Sequence, residues 1–193
     1  ARPLVDAIIS NFPDRRLVVS TTTKTGQELA QKAFAGKSDS VFYFPFDWKF
    51  SVRKAIENYR PSLVLLMETE IWPRFIREAK LSGSKVVIVN GRLSEKSSKR
   101  YSLAGPLIRN ILNNIDLALM QSEKDAERIV SLGIDRSLTT TTGNLKFDLE
   151  LNDAEEAITK ELDLRFQISD RRPLIVAAST HEPEERWILE AFC

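Results

Sequence analysis

Strand-length apolar runs alternating with amphipathic stretches constrain this chain more than any other feature. Ser62-Leu-Val-Leu-Leu-Met67 and Lys85-Val-Val-Ile-Val-Asn90 are nearly continuous in apolar residues, as central parallel strands covered on both faces tend to be. Leu17–Thr22, Val41–Phe44, Asp116–Met120 and the Thr-rich Leu138–Thr142 read as further strands. Helical spacing lies between them, over 4–11, 26–34, 50–59, 73–81, 97–113 (interrupted near Gly105-Pro106) and from Ser122 to Gly133. Pro73 suits a first helical turn and Ser122 an N-cap. This alternation predicts an α/β fold, a Rossmann-like doubly wound parallel sheet over residues 1–150. Residues 151–172 read as a charged helix plus linker. Pro173-Leu-Ile-Val-Ala-Ala178, followed by a helix from near Pro183, reads as the beginning of a second Rossmann-like domain over 173–193. The chain opens without Met in an amphipathic pattern and stops in a helical one, so a fragment of a longer protein is expected.

Composition narrows the function. Lys+Arg 28 against Asp+Glu 27 gives +1 over 193 residues, which argues against a general polyanion binder, and no nucleic-acid partner is expected. One His and one terminal Cys argue against a structural zinc or an intrachain disulfide; neither metal nor cofactor is expected. No apolar run approaches the ~20 residues of a spanning helix, and no signal-peptide pattern opens the chain.

In open parallel sheets, ligands bind where strands hand over to helices at their carboxyl ends, and that rule selects the loops. Thr21-Thr-Thr-Lys-Thr-Gly26 offers hydroxyls and an ammonium, with Thr23 and Lys24 at its centre. They suit an anion at a helix N-terminus, or a plain Thr cap; the spacing of a phosphate-cradling P-loop is absent. Glu68-Thr-Glu-Ile-Trp-Pro73 sets two carboxylates directly behind the most apolar strand. In extended geometry one of the two is expected to point into the cleft and the other across it. They can act as a base or hold a sugar hydroxyl, or compensate a helix dipole. From Arg92 to Arg109 stand five basic residues, Arg92, Lys96, Lys99, Arg100 and Arg109, with one acid, Glu95. This patch suits an anionic substrate, or is a solvated helix face. Gln121-Ser-Glu reads as a cap. Gly143-Asn-Leu-Lys-Phe-Asp148 places Lys146 at the cleft rim, to steady developing negative charge or simply in a turn. Ser179-Thr-His-Glu182 gives hydroxyls and the single His before a helix start, a seat for phosphate or carboxylate, or an ordinary exposed loop.

Together these segments resemble the 3-deoxy-D-manno-octulosonic acid (Kdo) transferases of lipopolysaccharide assembly. The resemblance rests on Ala1-Arg-Pro-Leu, Thr21–Gly26, Pro45-Phe-Asp47, Arg60-Pro, Met67-Glu-Thr-Glu-Ile-Trp-Pro73, Val89-Asn-Gly-Arg-Leu-Ser94, Gln121–Glu127, Gly143–Asp148 and Ser179–Glu182, in that order. It implies a GT-B glycosyltransferase, inverting and metal-independent, at the cytoplasmic face of the bacterial inner membrane. Its amino-terminal domain would take a lipid A precursor (lipid IVA) and its carboxy-terminal domain CMP-Kdo. On this resemblance Glu68 and Lys146 are the catalytic pair; Thr23, Lys24, Glu70, Arg92, Lys99 and Arg100 face the acceptor; and Ser179, Thr180, His181 and Glu182 begin the nucleotide-sugar site. The family's general base is a Glu in a Gly-Glu segment preceding Arg-Pro-Leu; it is not among these residues, and the polypeptide of 1–193 is expected to be inactive alone. Pro183 stands where the family usually has Gly. A non-enzymatic α/β module for anionic ligands, and a GT-B transferase using another nucleotide sugar, are the alternatives.

Overall fold

The computed structural model describes residues 2–148, 153–166 and 175–192. The chain divides into two compact units, Ala1–Leu149 and Glu150–Cys193. In the first, elements alternate along the chain: α1 (Arg2–Asn11), β1 (Val18–Thr21), α2 (Lys24–Ala33), β2 (Ser40–Tyr43), α3 (Lys49–Tyr59), β3 (Leu63–Met67), α4 (Pro73–Leu81), β4 (Lys85–Gly91), α5 (Glu95–Ser102), α6 (Gly105–Leu112), β5 (Leu117–Met120), α7 (Glu123–Ser131) and β6 (Thr139–Thr141), with short 3-10 turns at Arg136–Leu138 and Leu145–Asp148. Every strand pairing is parallel. The α/β alternation expected from the sequence is therefore the fold, and it puts the strand-to-helix loops at one edge of the sheets.

The strands form two sheets: β1-β2, and β3-β4-β5-β6 in that order. A single continuous sheet is the natural reading of the sequence, but apolar patterning identifies strands without specifying which edges bond. The interruption expected near Gly105-Pro106 is present and divides the 97–113 stretch into α5 and α6: Gly105 takes a positive φ of 40° and α6 starts with Pro106 in its first turn.

The main core lies over β3–β6. Val64, Leu66, Val86, Ile88, Ala118 and Met120 alternate along their strands and pack against Val52 and Ile56 of α3, Ile76 and Ala79 of α4, Ile108 and Leu112 of α6, and Ala126 and Ile129 of α7. The period of two in the strands meets the 3.6 period of the helices there. A smaller cluster joins Val5 of α1 with Ala30 of α2 and its C-cap Phe34, beside Val19 and Val41 of the β1-β2 sheet.

In the second unit, α8 (Asp153–Phe166) and α9 (Glu184–Phe192) are formed. The strand expected over Pro173–Ala178 is not: residues 175–178 lack regular structure, having no described neighbour to complete a ladder, and residues 173–174 lie outside the described ones. Among the described residues no helix is long and apolar enough to cross a membrane.

Candidate active site

The loops after β3 and β4 enclose an open cavity of about 380 Å³. Its walls are Glu68 to Trp72 from the first loop, Arg92 and Leu93 from the second, and Ser97, Arg100 and Tyr101 from α5. Glu68 is not extended, as the sequence reading supposed. It has φ +57°, and a left-handed residue turns the chain sharply at the strand end. Both Glu68 and Glu70 line the same cavity, together with Arg92 and Arg100. A non-Gly, non-Asn residue in that conformation carries strain of about 1 kcal/mol, of the kind that concentrates at functional sites.

Each wall is tied down. Glu68 N donates to the Val89 carbonyl at 2.9 Å. Thr69 Oγ1 donates to the Arg92 carbonyl (2.5 Å) and accepts from Arg92 N (3.0 Å), so the two loops clasp each other through one hydroxyl. The Trp72 side chain cannot cap α4; Asp47 does so from 27 residues upstream, accepting from Arg74 N at 2.9 Å and Phe75 N at 2.8 Å. Phe44 packs its ring against Trp72 and Phe75 at 5.1 and 4.8 Å. Leu93 N donates to buried Asp125 (2.8 Å) and its carbonyl accepts from Arg128 (3.0 Å), both on α7. The segment after β5, which reads in sequence as a cap, is thus also the clamp on the Arg92 loop, although Ser122 does cap α7.

Of the residues singled out from sequence, the cavity gathers Glu68, Glu70, Arg92 and Arg100. Lys99 lies on the exposed side of α5, paired with Glu95 at 2.6 Å, and is not a lining residue. Thr23 is the N-cap of α2; its hydroxyl accepts from Gly26 N at 3.0 Å, the plainer of its two readings, and Lys24 is the first helical residue beside it. Lys146 sits in the 3-10 turn Leu145–Asp148, exposed and outside the lining. That turn is joined to the end of β4 by Leu145 N donating to Asn90 Oδ1 at 3.1 Å. In the second unit, Ser179 has φ +59°. Thr180 donates to Glu185 (3.0 Å) and His181 N to Glu184 (3.0 Å) at the start of α9, while Glu182 is exposed ahead of Pro183. Here the first-turn carboxylates of α9 already complement its N-terminus.

Sequence reading missed Ser97 and Tyr101, which share a face of α5 with Arg100; the i, i+3, i+4 spacing was the available signal. Arg100 also stacks its guanidinium over Tyr101, 5.6 Å from the ring centre. The arrangement can hold a phosphate between Arg92 and Arg100 and receive hydroxyls at Glu68 and Glu70.

Residues 1–149 match the sequence model of a family described as 3-Deoxy-D-manno-octulosonic-acid transferase (kdotransferase). The chain is 35% identical over 193 residues to a 3-deoxy-D-manno-octulosonic acid transferase of Haemophilus influenzae, covering 99% of this chain and 44% of that protein. It is 32% identical to one from Chlamydia trachomatis, covering 96% and 43%, and 37% identical over 179 residues to a bifunctional glycosyltransferase/methyltransferase of Fusobacterium nucleatum, covering 92% and 28%. The chain thus spans less than half the length of these relatives. Among solved structures, a UDP-N-acetylglucosamine 2-epimerase from Neisseria meningitidis aligns with a TM-score of 0.54 at 14% identity, over 86% of this chain and 52% of that one. A similar protein from Listeria monocytogenes aligns at 0.55 and 15%, over 83% and 47%. At such identity the likeness is one of fold.

Proposed function

This chain belongs to the 3-deoxy-D-manno-octulosonic-acid transferase family, and from that premise we propose that it forms the acceptor side of a GT-B enzyme moving Kdo from CMP-Kdo to a lipid A precursor, lipid IVA, with inversion. The observation that carries this reading is one cavity lined by two acidic residues, Glu68 and Glu70, and two basic ones, Arg92 and Arg100. Arg92 and Arg100 suit a phosphate of the acceptor. Glu70 suits a sugar hydroxyl. The acceptor hydroxyl attacks the anomeric carbon, its proton passes to a carboxylate base, and the cytidine monophosphate leaves with the bonding pair. Glu68 favours the positive charge developing at the anomeric centre, and Lys146 the negative charge on the departing phosphate. No step calls for a metal. Thr180, His181 and the other residues of the 179–182 segment belong to the donor side, and the working site is the cytoplasmic face of the inner membrane.

The base and most of the donor site lie, in this reading, outside residues 1–193, so these residues alone do not turn over. The test is Glu68→Ala in the full-length protein: Kdo transfer is expected to fall at least ~10²-fold while the melting temperature changes little. Retained turnover would remove Glu68 from the mechanism. An anion-binding module without chemistry would need only the two arginines; no transfer by the full-length protein, with lipid A precursor still bound, would favour that reading.

A further inference from the structure

Asn90 is the penultimate residue of β4 and is 6% exposed, with φ +54°. Asn enters the left-handed region more readily than other residues with a side chain, and the pairing of β4 with β5 is irregular between Ile88 and Gly91. Side-chain bonds supplement the backbone ones at this level. The Asn90 carbonyl accepts from Gln121 Nε2 at 2.9 Å, and its Oδ1 accepts from Leu145 N at 3.1 Å, across 55 residues of sequence. One residue earlier, the Val89 carbonyl accepts from Glu68 N. Asn90 therefore stands between the backbone of Glu68 and the backbone that precedes Lys146.

Among the described residues, the other hydrogen bonds of the 3-10 turn are internal: Lys146 N to Asn144 Oδ1 and Phe147 N to the Asn144 carbonyl, both 3.0 Å. Gly143, with φ +84°, turns the chain between Thr142, whose amide donates to the Met120 carbonyl at 2.9 Å, and the 3-10 turn. Helix α1 also packs beside the turn, and among the described hydrogen bonds the one that Leu145 N donates to Asn90 is what ties the turn itself to the end of β4.

We propose that Asn90 is a positioning residue: its carboxamide oxygen holds the 143–148 segment where Lys146 can serve the reaction centred on Glu68. The proposal rests on the reading of Lys146 given above. It is tested in the full-length protein with Asn90→Gly, which is compatible with the left-handed backbone and removes the side chain that carries the acceptor. The Leu145 amide is expected to exchange with deuterium at least tenfold faster, with β3 and β4 amides unchanged. The kcat for Kdo transfer is expected to fall about tenfold or more, with the acceptor KM unaltered. In a Lys146→Ala background the same substitution is expected to leave the residual kcat unchanged, as two residues acting through one group require.

Unchanged exchange at Leu145 overturns the tether. Faster exchange with full kcat, a fall that adds to that of Lys146→Ala, or a loss shared by every sheet amide overturns the positioning role. The exchange measurement is independent of catalysis, so a Glu68→Ala enzyme that still turns over would fail the chemical reading without deciding this one.

Discussion

Asp116 gathers Lys80 Nζ at 2.6 Å, Lys85 Nζ at 3.0 Å and the Val86 amide at 2.9 Å. Burial opposes its ionisation, yet the bonds from Lys80, Val86 and Lys85 prevail and bring its pKa down to about 2. A carboxyl depressed on folding contributes stability that is complete above its unfolded value near 4 and fades as pH falls toward 2, here roughly 2 kcal/mol. Asp116→Asn is therefore expected to lower urea-unfolding stability by about that amount at pH 7, with the gap to the parent closing between pH 4 and pH 2. Gly91 makes a steric prediction. A Cβ there would stand 2.5 Å from Met120 Sδ and 3.0 Å from Ile88 Cγ2, so Gly91→Ala should cost about 1–3 kcal/mol in the same assay. At this scale the sequence exposed some positions and hid others. Glu68 and Glu70 announce themselves, because carboxylates directly behind an apolar strand are conspicuous. Asn90 does not: what sets it apart is a dihedral angle and a partner 55 residues away, neither of which leaves a local pattern.

The elements were legible where local chemistry decides them. Ser122 accepts from Asp125 N and opens α7, as its place before two acids suggested, and the continuous apolar runs became the paired β3 and β4. The start of α4 was legible only in part. Pro73 marks it, but the cap comes from Asp47, which no nearby spacing reveals. Asp47→Ala is expected to cost about 1 kcal/mol. It should also alter the environment of Trp72, whose following helix turn it holds, and fluorescence together with thermal unfolding would detect both. Buried Glu78 similarly joins two helices, bonding Arg53 of α3 at 2.7 Å. That hydrogen bond keeps its pKa below the usual carboxylate range despite burial. Glu78→Gln should weaken the α3–α4 contact most at neutral pH and least in acid, where the parent carboxylate is itself protonated.

For the molecule as a whole, strand direction followed from the alternation with crossover helices, while strand neighbourhood did not. The ladder that joins β1 only to β2, and β3 only to β4, gives four of the six described strands a place at a sheet border. Leu63, on the β3 border, is 51% exposed. Borders of free amide and carbonyl groups recruit further strands, from any polypeptide that offers one. Prepared by itself, the 193-residue polypeptide should accordingly be adhesive: its apparent mass in size-exclusion chromatography should climb with concentration, and a border charge such as Leu63→Lys should reverse the climb.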